Sequence, residues 1–528
     1  MAEIYKPKHN PWFIAVAASL ATIMEVLDTS IANVALPHIA GSLGASETQA
    51  TWVITSYLVA NAIVLPIGAY LGSIVGRKRF YMVCVMIFGL SSLFCGLAPS
   101  LPLLLFFRVV QGLGGGGLQP SSQSILVDAF PQKQRGQAIA VYGIAAVTAP
   151  IIGPTLGGWI TDSFSWRWCF LINIPIAVIS LMLTNLLVED PPAIKQAVNE
   201  AKKGGFKIDF TGFLLVALTF GCLEVVLDKG QEDDWFSSYF ITSFSVIAAV
   251  TFVGLIGWEL WQIHKQHRPI LDLRVFAHRN FCMAFAMMFA LGFMMYACTV
   301  LLPQLLQTLM GYTAGLAGMA MSAGGLATLI CMPIAAYLVG KIDGRYVIIS
   351  GLLCLVFSLY HMTELNLQMS FSYVALLRFY QSLGLSPIFV TLNVFAYFGV
   401  EEGKSSDIAG LMNLAKNLGG SCGTSFFATM LARHSQIHQQ FLVKHVYNGA
   451  APWDRKYQAL THQALVRMPS RIDAQHHALA RFYQIVHQQA ALLSYLDIIQ
   501  SLIVIITCTI PLVLLMKKPP KAVQSGAH

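Results

Sequence analysis

Long apolar stretches without Lys or Arg are the feature that most limits what this chain can fold into. Many of them run for about 20 residues or more, the length that an α-helix needs to cross roughly 30 Å of hydrocarbon. A chain that is 56% hydrophobic and only 11% charged has too much apolar surface to bury in soluble domains. The sequence therefore predicts an all-α membrane protein whose main solvent is lipid.

The positions of these stretches and of the basic residues predict a topology. About fourteen spans are expected, at roughly 12–36, 51–73, 80–98, 102–127, 137–160, 168–188, 210–228, 239–262, 281–302, 314–340, 346–363, 371–398, 407–431 and 491–516. With both termini on one side, most loop Lys and Arg fall on that side, and the short loops opposite hold Arg167 and Lys229. The positive-inside rule then places both termini in the cytoplasm. The net charge of +8 follows from this topology and requires no nucleic-acid partner.

Two short patterns recur about 270 residues apart and predict an internal repeat. The pairs are Arg108-x-x-Gln111 with Arg378-x-x-Gln381, and Gly76-Arg77 with Gly344-Arg345. Same-direction repeats of six-span bundles are typical of one class of secondary transporters. We expect a six-helix bundle at 1–188, a cytoplasmic linker with two inserted spans at 189–279, and a second six-helix bundle at 280–528. The second bundle is expected to carry a periplasmic helical loop at about 432–490.

Two acids lie near the middle of the first span. Glu25 and Asp28 are three residues apart, so they point within roughly 60° of each other on one helix face. A charge at that depth costs about 2.5–3.5 kcal/mol, which makes such residues functional candidates. Burial and a like-charged neighbour both favour a protonated acid, so either carboxyl is a candidate carrier of a coupling proton. The alternative for Asp28 is a structural pair with a buried base such as Arg108.

Three further charged residues in predicted spans are candidates for a functional role. Glu224, in the inserted seventh span, is a third candidate for proton coupling, although this insertion is expected at the periphery of the bundle. Arg108 is expected either to join a proton relay around Asp28 or to form a fixed ion pair. Lys416 is expected either to attract anionic substrates or to pair with an acid.

Four spans contain distinctive motifs. They are Leu27-Asp28-Thr29-Ser30-Ile31-Ala32-Asn33-Val34-Ala35-Leu36-Pro37, Arg108-Val109-Val110-Gln111-Gly112, Gly153-Pro154-Thr155-Leu156-Gly157-Gly158 and Asn413-Leu414-Ala415-Lys416-Asn417-Leu418-Gly419-Gly420-Ser421. These motifs resemble the major facilitator superfamily, and specifically its fourteen-span drug/proton antiporters of the EmrB type. The resemblance covers nearly the whole chain. It implies the major facilitator fold and the efflux of lipophilic or amphipathic drugs, driven by the proton gradient without a cofactor.

The resemblance also implies roles for individual residues. The antiporter motif is expected to allow tight contact and bending between the two bundles, with ordinary small-residue packing as the alternative; its members are Gly153, Pro154, Gly157 and Gly158. The loop motif after the second span is represented by Gly76, Arg77 and Lys78. Ser73 stands where this motif usually has an acid, which leaves the interhelical contact of that acid open. The substrate or gating candidates are Asn33, Gln111, Arg378, Asn413 and Lys416, with Arg378 expected nearer a membrane boundary than Arg108.

The predicted outer loop is rich in His. His434 and His438 are spaced to share a helix face, but no acid or Cys near them in the sequence completes a metal site, so none is expected. Apolar residues near helical spacing on either side of Pro452-Trp453 predict an amphipathic helical cap. By resemblance, this cap docks a periplasmic adaptor of the EmrA type, which joins an outer-membrane channel of the TolC type; a passive lid is the alternative. These partners imply the inner membrane of a Gram-negative bacterium.

Other classes of function fit the sequence less well. The glycine run 112–117 lies inside a span, and Gly403-Lys404-Ser405 ends a pattern one residue short of Walker A spacing, so an ATP-driven pump is not expected. A proton-coupled uptake symporter of the same fold remains an alternative. A membrane-embedded enzyme is a second alternative, but it needs a nucleophile, an acid/base pair or a metal cluster at the membrane boundary, and the sequence offers none.

Overall fold

The computed structural model describes residues 7–131, 134–203, 209–265, 269–339, 341–398, 404–444, 451–466 and 470–517. Within these ranges the regular elements are helices, and no β-strand occurs. The α-helices are α1 (Pro11–Leu43), α2 (Glu47–Val75), α3 (Arg77–Leu97), α4 (Leu101–Gly115), α5 (Leu118–Ala129), α6 (Arg135–Ser163), α7 (Trp168–Leu171), α8 (Asn173–Leu187), α9 (Pro192–Lys203), α10 (Phe210–Lys229), α11 (Tyr239–His264), α12 (Arg279–Thr308), α13 (Ala314–Val339), α14 (Gly344–Met362), α15 (Phe371–Ala396), α16 (Ser405–Val443), α17 (Ala451–Leu465) and α18 (Arg471–Leu515).

The helices confirm the predicted all-α membrane protein. In the described part of the chain, twelve helical segments are long and apolar enough to cross a membrane, and α6 is a thirteenth if it is counted as one bent span. The long helix α16 does not join this set, because Asn413, Lys416, Asn417 and several Gly and Ser lower its hydropathy. It nevertheless packs along α12 and α18 inside the bundle. The total of about fourteen spans therefore stays a prediction.

Short-range interactions define several helix ends. Ser46 begins α2 with a capping box: its hydroxyl accepts from Gln49 N at 3.2 Å, and its own N–H donates to Gln49 Oε1 at 3.1 Å. Gly44 ends α1 in the left-handed conformation at φ 63°. Gly76 separates α2 from α3 at φ +101°, and a Cβ there would lie 2.8 Å from Asp190 Oδ2. Only glycine fits this turn without strain.

The same packing pairs occur among the N-terminal helices (α1–α8) and the C-terminal helices (α12–α16 and α18). Helix α1 packs on α6 as α12 packs on α16, α2 on α4 as α13 on α15, and α3 on α8 as α14 on α18. Glycines allow the closest approaches, because Cβ atoms on Gly419 and Gly423 would overlap the backbone of α12. This pattern is the one that an internal repeat predicts. The limits of the three domains stay predictions.

Contacts between helix ends define one side of the bundle, here called the basic side. Lys78 N donates to Asp190 Oδ1 at 2.9 Å, which joins the start of α3 to the segment after α8. Arg345 Nη1 donates to Met516 O at 3.4 Å, which joins the start of α14 to the end of α18. The opposite end is called the far side. The predicted topology requires these ends to share a side; the orientation of the basic side toward the cytoplasm stays a prediction.

Candidate functional site

Asp28 and Arg108 form an ion pair inside the N-terminal helices. Arg108 Nη1 lies 2.6 Å from Asp28 Oδ2, and neither side chain is exposed. Arg108 Nε also donates to Val53 O at 2.8 Å, and its guanidinium lies 4.4 Å from the ring centroid of Tyr57. This arrangement is the pairing that the sequence left open as the alternative for Asp28. Each charge is buried and compensated by the other.

Two amide side chains donate hydrogen bonds to the second carboxylate oxygen of Asp28. Gln111 Nε2 and Asn173 Nδ2 donate to Asp28 Oδ1 at 2.9 Å and 2.6 Å. Gln111 also accepts from Arg108 Nη1 and donates to Ser92 Oγ, both at 2.7 Å. Both carboxylate oxygens therefore have donors and the group is held in one geometry. Sequence reasoning missed Asn173, because it belongs to no motif and only its polarity inside an apolar span marks it.

Glu25 has a different environment, although it lies one helical turn from Asp28. Its Oε1 accepts from Asn61 Nδ2 and Gln119 Nε2, both at 3.0 Å. Its Oε2 is buried and has no hydrogen-bond partner among the described residues. An ionised carboxylate would leave this oxygen unpaired in the interior, whereas a protonated carboxyl carries less charge to desolvate.

Gln119 connects Glu25 to the C-terminal helices. Its Nε2 donates to Glu25, and its Oε1 accepts from Nζ of Lys416 on α16. Tyr142 Oη lies 2.8 Å from Asn413 Oδ1 and 3.3 Å from Gln119 Oε1. An acid of the N-terminal helices and a base of the C-terminal helices therefore bind opposite ends of one side-chain amide. We call the three residues Glu25, Gln119 and Lys416 the amide bridge.

Further polar contacts join the two sets of helices between the amide bridge and the basic side. Gln123 Nε2 donates to Asn393 Oδ1 at 2.6 Å, and Asn413 Nδ2 donates to Gln123 Oε1 at 2.7 Å. Closer to the basic side, Ser405 Oγ donates to Asp128 Oδ1 at 2.9 Å. The two sets of helices are thus held together from mid-depth to the basic side.

Helix α10 brings the third buried acid to the seam between α2 and α16. Glu224 is 3% exposed, and its Oε1 accepts from Ser421 Oγ of α16 at 2.7 Å. One turn further along α10, Asp228 accepts from Thr55 of α2. The expected peripheral position of the insertion is therefore wrong for α10, because this helix packs on both sets of helices. It fits α11, which packs on α10 and is largely exposed.

The loop motif makes a charge contact despite its missing acid. Ser73 forms a hydrogen bond within its own helix. Arg77 is almost fully buried and pairs with Asp128 at the end of α5. Lys78 N donates to Asp190, which follows α8. Asp128 and Asp190, which lie elsewhere in the sequence, thus contact this loop in place of the acid that the motif lacks at Ser73.

The glycines of the antiporter motif pack within one set of helices. A Cβ on Gly153 would overlap α1, and a Cβ on Gly157 would lie 3.2 Å from the backbone of α1. Thr155, between them, contacts α13 of the C-terminal helices. The two glycines therefore belong to the α1–α6 pair, while the motif meets the other set of helices through Thr155; its role in bending between the bundles stays a prediction. The other members, Pro154 and Gly158, are half-buried.

Two of the remaining candidates lie apart from the amide bridge. Arg378 is 2% exposed, and its depth in the membrane relative to Arg108 stays a prediction. Its Nη1 donates to Gln381 Oε1, its Nε has no partner, and no carboxylate pairs with it in the described ranges. Asn33 lies on α1 between Asp28 and the far side of the bundle. It is exposed, and it donates to Thr29 O at 3.1 Å. It faces no partner from the C-terminal helices among the described contacts.

The predicted outer loop consists largely of extended membrane helices. Helix α16 continues to Val443 and α18 begins at Arg471, so both run well beyond the predicted spans, and α17 lies between them. Pro452 and Trp453 fall in the first turn of α17. The acid that His434 and His438 lack in the sequence is supplied by Asp497 of α18. The premise that no acid completes the pair is therefore wrong, because the acid comes from another helix; the absence of a metal site is not tested by this contact.

The helix packing and the buried polar network define a polytopic membrane protein of the transporter type. The fold is similar to the crystal structure of the human organic anion transporter MFSD10, with a TM-score of 0.54 at 13% identity, over 94% of this chain and 100% of that chain. Residues 18–424 match the family model of the Major Facilitator Superfamily. The chain belongs to that superfamily.

The chain also resembles named transporters along most of its length. It is 37% identical to the probable multidrug resistance protein EmrY of Escherichia coli strain K12, over 82% of both chains. It is 37% identical to the multidrug export protein EmrB of Haemophilus influenzae, over 85% of both. It is 33% identical to the fatty acid resistance protein FarB of Neisseria gonorrhoeae, over 98% of both. The predicted membership of the EmrB type is confirmed.

Proposed function

We propose that this chain exports lipophilic and amphipathic small molecules across the bacterial inner membrane in exchange for protons, by alternating access. The names of its relatives, which include multidrug export and fatty acid resistance proteins, support this substrate class. The excess of Lys and Arg on the basic side supports a cytoplasmic orientation of that side. Export then runs from the basic side, which is closed in this structure, to the far side.

The amide bridge is the observation that carries the proposal. When Glu25 is ionised, it attracts Lys416 through a buried region of low dielectric constant, with Gln119 bonded to both. This attraction holds the C-terminal helices against the N-terminal helices at mid-depth. A proton on Glu25 removes the negative charge and weakens the attraction. Proton occupancy and opening of the basic side are thereby linked.

The geometry favours Glu25 over Asp28 as the carrier of the coupling proton. Glu25 Oε2 has no hydrogen-bond donor among the described residues, so a proton there displaces none. Asp28 already binds Arg108, Gln111 and Asn173 through its two oxygens. We assign to Asp28 and Arg108 the role of fixing α1 against α4, which positions Glu25. Sequence reasoning gave Asp28 the larger role and offered its pair with Arg108 only as the alternative.

The proposed cycle begins with the closed basic side seen here. A proton enters from the far side, neutralises Glu25 and releases Lys416, and the two sets of helices separate at the basic side. Glu25 then loses its proton to the cytoplasm while substrate binds, and the amide bridge re-forms as the basic side closes. One proton moving through about 100 mV supplies about 2.3 kcal/mol, which supports a roughly fifty-fold gradient of a neutral substrate.

Glu224 is proposed as a second proton site that acts at the seam. Its bond to Ser421 joins α10 to α16, while Asp228 and Lys229 join the same helix to Thr55 and Thr51 of α2. Movement of α16 away from α2 must break one of these attachments. Protonation of Glu224 changes the strength of the attachment to α16 without affecting those to α2.

The extended α16, α17 and α18 are proposed to project from the membrane on the far side. By resemblance to the EmrB type, this projection docks a periplasmic adaptor of the EmrA type, which leads to an outer-membrane channel of the TolC type. Exposed apolar residues on α16, such as Ile437 and Phe441, support a docking surface over a passive lid. A tripartite pump of this kind carries substrate past both membranes.

Proton release from energised inverted vesicles tests the proposed antiport. A pH-sensitive dye reports protons leaving the vesicles when lipophilic drugs are added to wild type, Glu25→Gln, Asp28→Asn and Asp162→Asn. We expect release in wild type and in Asp162→Asn, an acid exposed at the end of α6. Glu25→Gln should abolish release, yet retain exchange of labelled drug across proteoliposomes, because Gln imitates the protonated acid.

The outcomes separate the competing assignments. Normal release in Glu25→Gln together with loss in Asp28→Asn, at equal folded yield, would place the coupling proton on Asp28. Proton movement in the same direction as the solute would identify an uptake symporter. Absence of release with every drug, although wild type exchanges labelled drug, would remove proton coupling from the proposal.

A further inference from the structure

The extended part of α16 and the outer end of the predicted last span, in α18, bring three potential metal ligands together. His434 Nδ1 and His438 Nε2 each lie 2.7 Å from the same oxygen, Oδ2 of Asp497. The three donor atoms all lie within 4.8 Å of one another. His434 and His438 stand four residues apart on α16, so both rings point to the same neighbour, and Asp497 reaches them from α18. We call these residues the His-His-Asp cluster.

The cluster lies outside the polar network of the proposed transport site. Its side chains are 24–32% exposed, so ions can reach them from water. A cavity of about 880 Å³ is lined by other residues of the same two helices, among them Ser435, Gln436, Gln439 and His487, and by no member of the cluster. Neither the amide bridge nor the Asp28 pair contacts it, and the proposed cycle gives it no role.

The identity of the donors selects the kind of ion. Two imidazole nitrogens and one carboxylate oxygen form a borderline donor set, which suits zinc and similar transition metals better than calcium or magnesium. Three protein ligands with water in the fourth position complete a tetrahedral zinc site. Two neutral imidazoles and one carboxylate leave a bound divalent zinc ion with a net charge of +1, which the aqueous surroundings tolerate.

We propose that His434, His438 and Asp497 bind one Zn²⁺ ion, which fastens α16 to α18 near the far-side ends of their predicted spans. Without metal, both rings donate to a single carboxylate oxygen. The three ligands are therefore already close together before a metal ion binds. Binding replaces those two hydrogen bonds by metal–ligand bonds. Because the ligands come from two helices, binding requires the folded pair and stabilises it.

Zinc titration of the purified full chain in detergent tests the proposal. Isothermal calorimetry should find one Zn²⁺ per chain in wild type, and Zn²⁺ should raise the thermal midpoint of unfolding. Loss of a residue that only hydrogen-bonds to a metal ligand weakens metal binding by roughly 10–100-fold. His438→Ala and Asp497→Asn remove a ligand itself, so they should weaken Zn²⁺ binding by more than this. His487→Ala is the matched control, since His487 lies on the same helix as Asp497 but outside the cluster. It should bind as wild type does.

Cobalt supplies a readout that depends on coordination. Co²⁺ added to wild type should give the visible absorption of a tetrahedral N/O site, and the band should be lost in His434→Gln and His438→Gln. These variants keep an amide in place of each ring, and size-exclusion elution reports that they remain folded. Equal Zn²⁺ affinity in folded wild type and His438→Ala would overturn the proposal. So would the absence of Zn²⁺ binding to wild type.

Discussion

The same Arg-x-x-Gln motif stands in two contrasting environments. In α4, Arg108 pairs with Asp28 at 2.6 Å, and Gln111 bonds both of them. In α15, Arg378 and Gln381 lie 270 residues later, and the position that repeats Asp28 is Cys298. Cys298 lies beside Arg378 and Gln381. The repeat has kept the base and the amide but not the acid.

The contrast shows that one half carries the fixed charges and the other carries a buried cation without a carboxylate. Among the described residues, Arg378 Nε, Gln381 Nε2 and Ser382 Oγ have no hydrogen-bond partner. A buried cation is costly unless it is paired. Breaking the N-terminal site should therefore lower the free energy of unfolding strongly, whereas breaking the C-terminal site should lower it less.

Removing each arginine should give the largest difference between the halves. Arg108→Met leaves Asp28 buried without its cation, and breaking such a pair costs about 3–5 kcal/mol. Arg378→Met replaces an unpaired buried cation with an apolar side chain of similar length, so we expect no loss or a gain in the free energy of unfolding. Equilibrium unfolding in mixed micelles with increasing sodium dodecyl sulfate measures both.

Equal losses from the two substitutions would contradict the comparison, because they would mean that Arg378 has a compensating partner as strong as Asp28. Arg79→Met is a suitable control, since this arginine lies in the first turn of α3 and is exposed. It should change the unfolding free energy by less than about 1 kcal/mol.

The sequence offered this pairing as the alternative for Asp28, in the first half only, and the reasons are physical. Hydropathy fixes spans because each must cross the same thickness of lipid, and most predicted spans match helices to within a few residues. The motifs identified Asp28, Arg108 and Gln111. Polar α16 was predicted as a span at about 407–431, but its hydropathy falls short of the other spans, since polar residues such as Asn413 and Lys416 are buried against other helices.

Contacts between distant helices were beyond the reach of the sequence. Gln119 has no special spacing, yet it binds both Glu25 and Lys416. Asp497 lies 59 residues from His438 along the chain, and its meeting with the two histidines depends on how α16 and α18 pack. Such positions are set by tertiary packing, which periodicity within one helix does not encode.

Supplying the missing acid should make the second half resemble the first. Cys298→Asp places a carboxylate beside Arg378, whose burial is already part of the fold, so the new pair should stabilise the protein. We expect a coupling free energy of about 0.5–3 kcal/mol between positions 298 and 378 in a cycle with Arg378→Met. Cys298→Asn, which adds similar volume without charge, should show little of it. A coupling near zero would show that the two side chains do not meet.

Substitution of the glutamines Gln111 and Gln381 should give the smallest difference in unfolding free energy between the halves. Gln111→Leu removes a donor to Asp28 Oδ1 and to Ser92, and leaves buried polar atoms less satisfied, at a cost of about 1–3 kcal/mol. Gln381→Leu removes one bond to Arg378 but also an amide nitrogen that has no partner among the described residues, so the two effects oppose each other. The same detergent titration compares them. A loss from Gln381→Leu as large as that from Gln111→Leu would mean that Gln381 holds Arg378 as firmly as Gln111 holds the ion pair. The difference between the halves would then lie in the missing carboxylate alone.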